Sequence, residues 1–163
     1  MLLISENILL ILLVLPLLGI SLLLFIPSSN KIFLKMIGLG TSALTFICSL
    51  FLWVWFNASI GIFQFVNKTL WIPFLNFNLT LGIDGISLFF ILLTTLLIFL
   101  CILISWNSIM FHIKYYLIAF LIMEFFLIGV FCVFYFFLFY IFFESVLIPM
   151  FLIIGIWGSR ERK

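Results

Sequence analysis

The chain has 163 residues, of which 68% are hydrophobic, 20% aromatic and only 7% charged, and its formal net charge is +2. A soluble globular domain has roughly 45–50% apolar and about 25% charged residues, so this composition excludes a soluble fold. The chain has too little polar surface to cover itself in water. We therefore expect its solvent to be a lipid bilayer.

Polar interruptions divide the chain into apolar segments that are long enough to cross a bilayer, which takes about 20 residues. The last apolar stretch, residues 115–157, is more than twice as long as a bilayer core is thick, so it must fold back once. We place that turn near residues 132–136, where aromatic side chains suit the membrane interface. The sequence predicts an all-α membrane protein, a single domain over residues 1–163, with five spans at 8–26, 33–56, 86–106, 115–134 and 136–157.

The basic residues predict the orientation of these spans. With five spans, one side of the membrane receives Lys31, Lys35, Lys114, Arg160, Arg162 and Lys163. The other side receives Lys68 alone. Because basic residues favour the cytoplasmic or matrix side, we expect the N-terminus to face outward and the C-terminus inward.

The outward connection, residues 57–81, is the only sizeable loop. Its residues 75–80 alternate between apolar and polar types, which predicts a short strand, half of a hairpin on the membrane surface. Asn57, Asn67 and Asn78 each begin an Asn-x-Ser/Thr sequence. Two interpretations of these sequences stay open. They could be glycosylation sites on the lumenal side of a secretory membrane, or they could occur by chance in an Asn-rich loop. We prefer the second interpretation.

Two ionisable residues lie within predicted spans, Glu124 in the fourth and Glu144 in the fifth. A carboxylate at mid-membrane costs about 2.5–3.5 kcal/mol to insert. This cost is tolerable only if the carboxyl group is protonated, is paired with a cation or faces water inside a bundle. The two spans are antiparallel neighbours, so both carboxyl groups are expected at similar depth, where they could form a proton relay. The structural alternative is a protonated Glu that bonds to a neighbouring helix. No lysine lies deep in a span, so a cationic partner must come from elsewhere.

Two further residues are assigned structural roles. Pro149, five residues after Glu144, removes a backbone hydrogen bond and is expected to kink the fifth helix. Asp84 stands directly before the third span, where its carboxylate can cap the helix N-terminus. The sequence shows no nucleotide-binding loop, nucleophile–base pair or nucleic-acid motif. It contains no Cys/His cluster for a metal, because the three cysteines are spread through apolar segments.

Two motifs resemble the subunit 4 family of the proton-pumping NADH:ubiquinone oxidoreductase, respiratory complex I. Residues 139–150 (FYIFFESVLIPM) and 154–160 (IGIWGSR) are similar to the fifth-span signature of that family. Residues 81–90 (LGIDGISLFF) are similar to the start of its third span. The family also resembles the large subunits of cation/proton antiporters.

The resemblance implies a membrane-arm subunit that moves protons and holds no cofactor of its own. NADH, flavin, iron–sulfur clusters and ubiquinone would belong to other subunits. Glu144 matches the family's essential fifth-span glutamate, which pairs with a lysine on a later helix, whereas Glu124 matches a position that is not uniformly acidic. The family continues for about nine further spans, so the chain looks like an N-terminal part, with the rest supplied by a second polypeptide or lost.

The resemblance also implies partners and a location. We expect other membrane-arm subunits and membrane lipid as partners, in the mitochondrial inner membrane. The abundance of Phe and Ile, which AT-only codons can encode, favours organelle encoding, and the first residues show no targeting segment. Two alternatives remain: a glycosylated structural protein of the secretory pathway, favoured by the Asn-x-Ser/Thr sequences, and a subunit of a cation/proton antiporter.

Overall fold

Five long helices and one pair of strands follow one another in the computed structural model, which describes residues 2–59, 61–72, 77–109 and 111–158. The helices are α1 (Leu2–Phe25), α2 (Lys31–Trp55), α3 (Gly85–Ser108), α4 (Ile113–Cys132) and α5 (Phe136–Trp157). The strands, between α2 and α3, are β1 (Gln64–Ile72) and β2 (Phe77–Ile83).

All five helices are long and apolar enough to cross a membrane, which confirms the predicted fold class. A helix satisfies its own backbone hydrogen bonds, as a segment surrounded by lipid must. α1 begins at Leu2, but its membrane-spanning part begins at Asn7, next to the predicted residue 8. α2 begins at Lys31, two residues before the predicted span. Residues 133–135 separate α4 from α5, inside the segment where the sequence places the turn.

The two strands form an antiparallel pair at one end of the bundle, which we call the outer end. The turn between α4 and α5 lies at this end too, because Val133 forms a bridge with Leu81 and the Phe134 N–H donates to the Thr80 carbonyl at 3.2 Å. The predicted strand corresponds to β2, which begins at Phe77; residues 75 and 76 lie outside the described residues. Its partner β1 is not part of the prediction.

The opposite end, which we call the inner end, is held together by lysine and tryptophan side chains. Lys114 Nζ of α4 donates to the carbonyls of Leu24 and Ile26, both at 2.9 Å, at the C-terminus of α1. Trp157 Nε1 of α5 donates to the Phe111 carbonyl at 2.9 Å. A cation near the last carbonyls of a helix interacts favourably with the helix dipole. Arg160, Arg162 and Lys163, which we predicted at this end, lie outside the described residues.

The interior of the bundle is arranged in three layers. An apolar cluster near the outer end includes Leu12, Leu52 and Ile91, and a second one near the inner end includes Leu34 and Leu121. Between these clusters lie the buried polar side chains of the helices: Thr41, Ser42, Thr45, Ser49, Thr94, Thr95 and Glu124. The polar layer is therefore enclosed by apolar residues at both ends.

Candidate functional site

Glu124 lies in the polar layer, and its side chain is fully buried. Its Oε1 accepts a hydrogen bond from Thr45 Oγ1 of α2 at 2.5 Å. Its Oε2 is also buried, and no hydrogen-bond partner for it is found among the described residues. A hydroxyl group can donate to a carboxylate or accept from a neutral acid, so this contact suits either state of the carboxyl group.

The partner of Glu124 belongs to a row of buried hydroxyl groups on α2 that the sequence analysis does not single out. These are the hydroxyls of Thr41, Ser42, Thr45 and Ser49. Each lies within hydrogen-bond distance of a carbonyl three or four residues earlier, and Ser49 Oγ also lies 2.9 Å from Thr95 Oγ1 of α3. Thr41, Thr45 and Ser49 are spaced four residues apart, which places them on one helix face, and Ser42 lies beside Thr41. That spacing is a signal in the sequence, but it does not reveal which helix the face contacts.

Glu144 has a different environment. It lies on an exposed face of α5, between other exposed side chains such as Phe143 and Leu147. It interacts with the side chain of Tyr140, one turn earlier on the same helix. Among the residues of α5 only Leu138 and Pro149 are buried. Within the chain as described, the face that carries Glu144 is not covered by another helix.

The two carboxyl groups lie at similar depth but on different faces. Gly129 of α4 packs directly against Phe142 of α5, which aligns the two antiparallel helices. Glu124 lies five residues inward from Gly129 in α4, and Glu144 lies two residues inward from Phe142 in α5. The levels of the two residues therefore differ by about three residues, or roughly 4–5 Å along the helix axis. Glu124 points towards α2, whereas Glu144 faces away from the bundle. The structure therefore does not bring the two carboxyl groups into contact.

Pro149 lies within α5, which continues without a break to Trp157. Its ring is buried and lines an apolar groove of about 500 Å³ between α4 and α5, together with Ala119 and Ile122. Because proline has no N–H, the carbonyl of Ser145 lacks its usual helical donor. This free carbonyl lies one residue from Glu144.

Asp84 is the N-cap of α3. Its Oδ1 accepts a hydrogen bond from the Ser87 N–H at 2.7 Å, and its carbonyl accepts from the Leu88 N–H at 3.1 Å. The Ser87 hydrogen bond holds the pKa of the Asp84 carboxyl below its usual value. Asp84 lies outside the span, at the outer end, so its role is to fix the start of α3.

These features define a multi-pass membrane protein with Glu124 inside the helix bundle and Glu144 on an uncovered helix face. No protein-family model matches the chain. The chain is 57% identical to NADH-ubiquinone oxidoreductase chain 4 of Chondrus crispus over 148 residues, 91% of this chain and 30% of that protein. It is 55% identical to the Arabidopsis thaliana protein of the same name over 148 residues, again 91% and 30%. The Metridium senile protein of that name is 47% identical over 151 residues, 90% of this chain and 30% of its own.

Along the matched residues the chain belongs to the NADH-ubiquinone oxidoreductase chain 4 family, which confirms the resemblance seen in the sequence. The chain spans about 30% of the length of these curated relatives. The comparisons do not favour the secretory alternative.

Proposed function

We propose that the chain is part of the proton-translocating membrane arm of NADH:ubiquinone oxidoreductase, where Glu144 and Glu124 take up and release protons. The observation that carries the proposal is the placement of two carboxyl groups at similar depth on adjacent membrane helices, in a chain of the chain 4 family. A carboxyl group inside a membrane is costly and is usually retained for ion or proton transfer. Glu144 is the main relay residue in this proposal, and Glu124 has the lesser role.

The chain in this proposal carries no redox chemistry and holds no cofactor. Oxidation of NADH and reduction of ubiquinone take place in other subunits, which hold the flavin and the iron–sulfur clusters. The location is the mitochondrial inner membrane, and the Phe- and Ile-rich composition supports an organelle-encoded chain. The partners are other subunits of the membrane arm and the surrounding lipid.

A second polypeptide that continues the chain 4 sequence is part of the same proposal. The uncovered face of α5 around Glu144 supports it. The described lysines with resolved contacts, Lys35 and Lys114, lie at the inner end and donate to backbone carbonyls, away from Glu144. A cationic side chain on the second polypeptide would compensate the Glu144 carboxylate.

The exchange Glu144→Gln tests the proposal, because it preserves the shape of the side chain and removes its ability to gain and lose a proton. An amide costs less to bury than a carboxylate, so assembly should be unharmed. We expect proton pumping coupled to NADH oxidation to fall by more than half, as measured with a pH-sensitive dye in vesicles of an engineerable host. Glu124→Gln should give a milder loss.

Ser145→Ala is the matched control, because it changes the next residue and removes only a hydrogen bond to the Ile141 carbonyl. It should leave pumping unchanged. Normal pumping by a normal amount of assembled Glu144→Gln complex would contradict the relay. Loss of pumping in proportion to loss of assembly would show that Glu144 is structural.

A further inference from the structure

We propose that Thr45 is a positioning residue for Glu124, and that its hydroxyl group reverses its hydrogen bond each time Glu124 gains or loses a proton. The inference rests on the proposed function, since it requires Glu124 to exchange protons. It adds to that function a residue on a different helix, α2, and a specific step for its hydroxyl hydrogen.

The Thr45 hydroxyl has more hydrogen-bond acceptors within reach than it has hydrogens. The Thr45 hydroxyl carries one hydrogen, yet its oxygen lies 2.5 Å from Glu124 Oε1 and 2.8 Å from the carbonyl oxygen of Ser42. When Glu124 is a carboxylate, Thr45 donates to Oε1. When Glu124 is a neutral acid, its own O–H donates to Thr45 Oγ1, and the Thr45 hydrogen turns to the Ser42 carbonyl.

Both states are therefore hydrogen-bonded without any movement of the backbone. The proton that neutralises Glu124 comes from outside this pair, and no bond within Thr45 breaks. A threonine in a helix is restricted to rotamers in which its hydroxyl reaches a carbonyl of the preceding turn, so the oxygen stays in place while its hydrogen turns. The protein thus stabilises both states of Glu124 with one fixed oxygen atom.

Thr45 is the one hydroxyl group among the described residues that the structure places against this carboxyl group. The other carboxyl oxygen, Oε2, is buried and has no partner among those residues, so Thr45 alone orients the group. One turn away, Ser49 bonds to Thr95 instead, at 2.9 Å. The two hydroxyl contacts are similar in chemistry, but only one of them reaches a titratable group.

The test is the exchange Thr45→Val in the assembled membrane complex that contains this chain, followed by infrared difference spectroscopy between high and low pH. A neutral carboxylic acid gives a C=O stretching band, which is assigned to Glu124 by its loss in Glu124→Gln. Valine has the shape of threonine without the hydroxyl group. We expect the Glu124 band to shift to higher frequency in Thr45→Val, because a hydrogen bond is lost, and pumping to fall towards the level of Glu124→Gln.

Thr45→Ser retains the hydroxyl group, so the frequency of the Glu124 band and the rate of pumping should equal those of the unaltered complex. Ser49→Ala, which alters the hydroxyl pair away from Glu124, should change neither. A Glu124 band at the same frequency in the unaltered complex and in Thr45→Val would contradict the inference alone. Absence of any Glu124 band from the unaltered complex would contradict the role of Glu124 as a relay and this inference with it. Should Thr45→Val fail to assemble, Thr45→Ala removes the same hydroxyl group and is judged by the same band.

Discussion

Glu124 and Glu144 are the same type of residue in similar helices, yet their surroundings differ. One is fully buried against a hydroxyl group, and the other lies on an uncovered helix face. The sequence predicts their depth, because depth follows from the position of a residue along a span. It does not predict their direction, since the rotation of a helix is set by its packing against neighbouring helices. For the same reason the contact with Thr45 is visible only in the structure.

Asp84 permits a prediction about stability. Asp84→Ala removes the cap of α3 and should lower the free energy of unfolding by about 1 kcal/mol near neutral pH. Asp84→Asn retains an oxygen that can accept the Ser87 N–H, so its effect should be smaller. The measurement is denaturant unfolding in detergent, followed by tryptophan fluorescence.

The effect of Asp84 should also depend on pH. Its pKa is lower in the folded chain because the carboxylate accepts the Ser87 N–H. Its contribution is therefore complete above the unfolded pKa, about 3.9, and disappears as the pH falls through the lower folded value. The difference between the unaltered chain and Asp84→Ala should shrink below about pH 4. A difference that stays constant over this range would show that the carboxylate does not stabilise the cap.

A helix or strand could be predicted where its sequence shows a clear hydropathy or alternation pattern. The spans follow from hydropathy, and the alternation in residues 75–80 indicates β2. Strand β1 has no comparable alternation in its sequence QFVNKTLWI, so its pairing with β2 could not be predicted. The polar layer was missed because serine and threonine in a helix can bond to their own backbone and so do not signal a partner.

Two glycines of α2 give a matched test of helix packing. A Cβ atom on Gly38 would lie 2.8 Å from Cδ2 of the buried Leu117 in α4, whereas one on Gly40 would meet nothing within 4 Å. Alanine is favoured over glycine in a helix by about 1 kcal/mol. Gly40→Ala should therefore raise the free energy of unfolding by up to about 1 kcal/mol. Gly38→Ala should lower it by about 1–3 kcal/mol, because the contact is overpacked.

Denaturant unfolding of the two variants in the same detergent measures this difference. Replacing Leu117 by valine in the Gly38→Ala variant should recover part of the loss, because it removes the crowding atoms. Equal stability of the two alanine variants would show that α2 and α4 do not pack closely at Gly38.

At the scale of the whole molecule, the described residues form a bundle of five helices, of which α5 is the least buried. The number of spans was predictable even though the turn at residues 133–135 contains neither glycine nor proline, because the stretch is too long to cross a bilayer once. Lys35 and Lys114, which are predicted on the same side of the membrane, lie at the same end of the bundle, at the C-termini of α3 and α1. What the sequence could not show is that α5 is the least buried helix, since apolar residues suit lipid and a partner helix equally well.

In the proposed function this chain works within a larger membrane assembly of NADH:ubiquinone oxidoreductase. The most direct test is mild detergent extraction of the tagged chain from the membranes of its source, followed by native separation and mass spectrometry of the proteins that migrate with it. We expect the subunits of that oxidoreductase to migrate with the chain, including a polypeptide that continues the chain 4 sequence. Migration of the chain alone, with antiporter subunits, or as a glycosylated protein of the secretory pathway would show that it does not belong to this oxidoreductase.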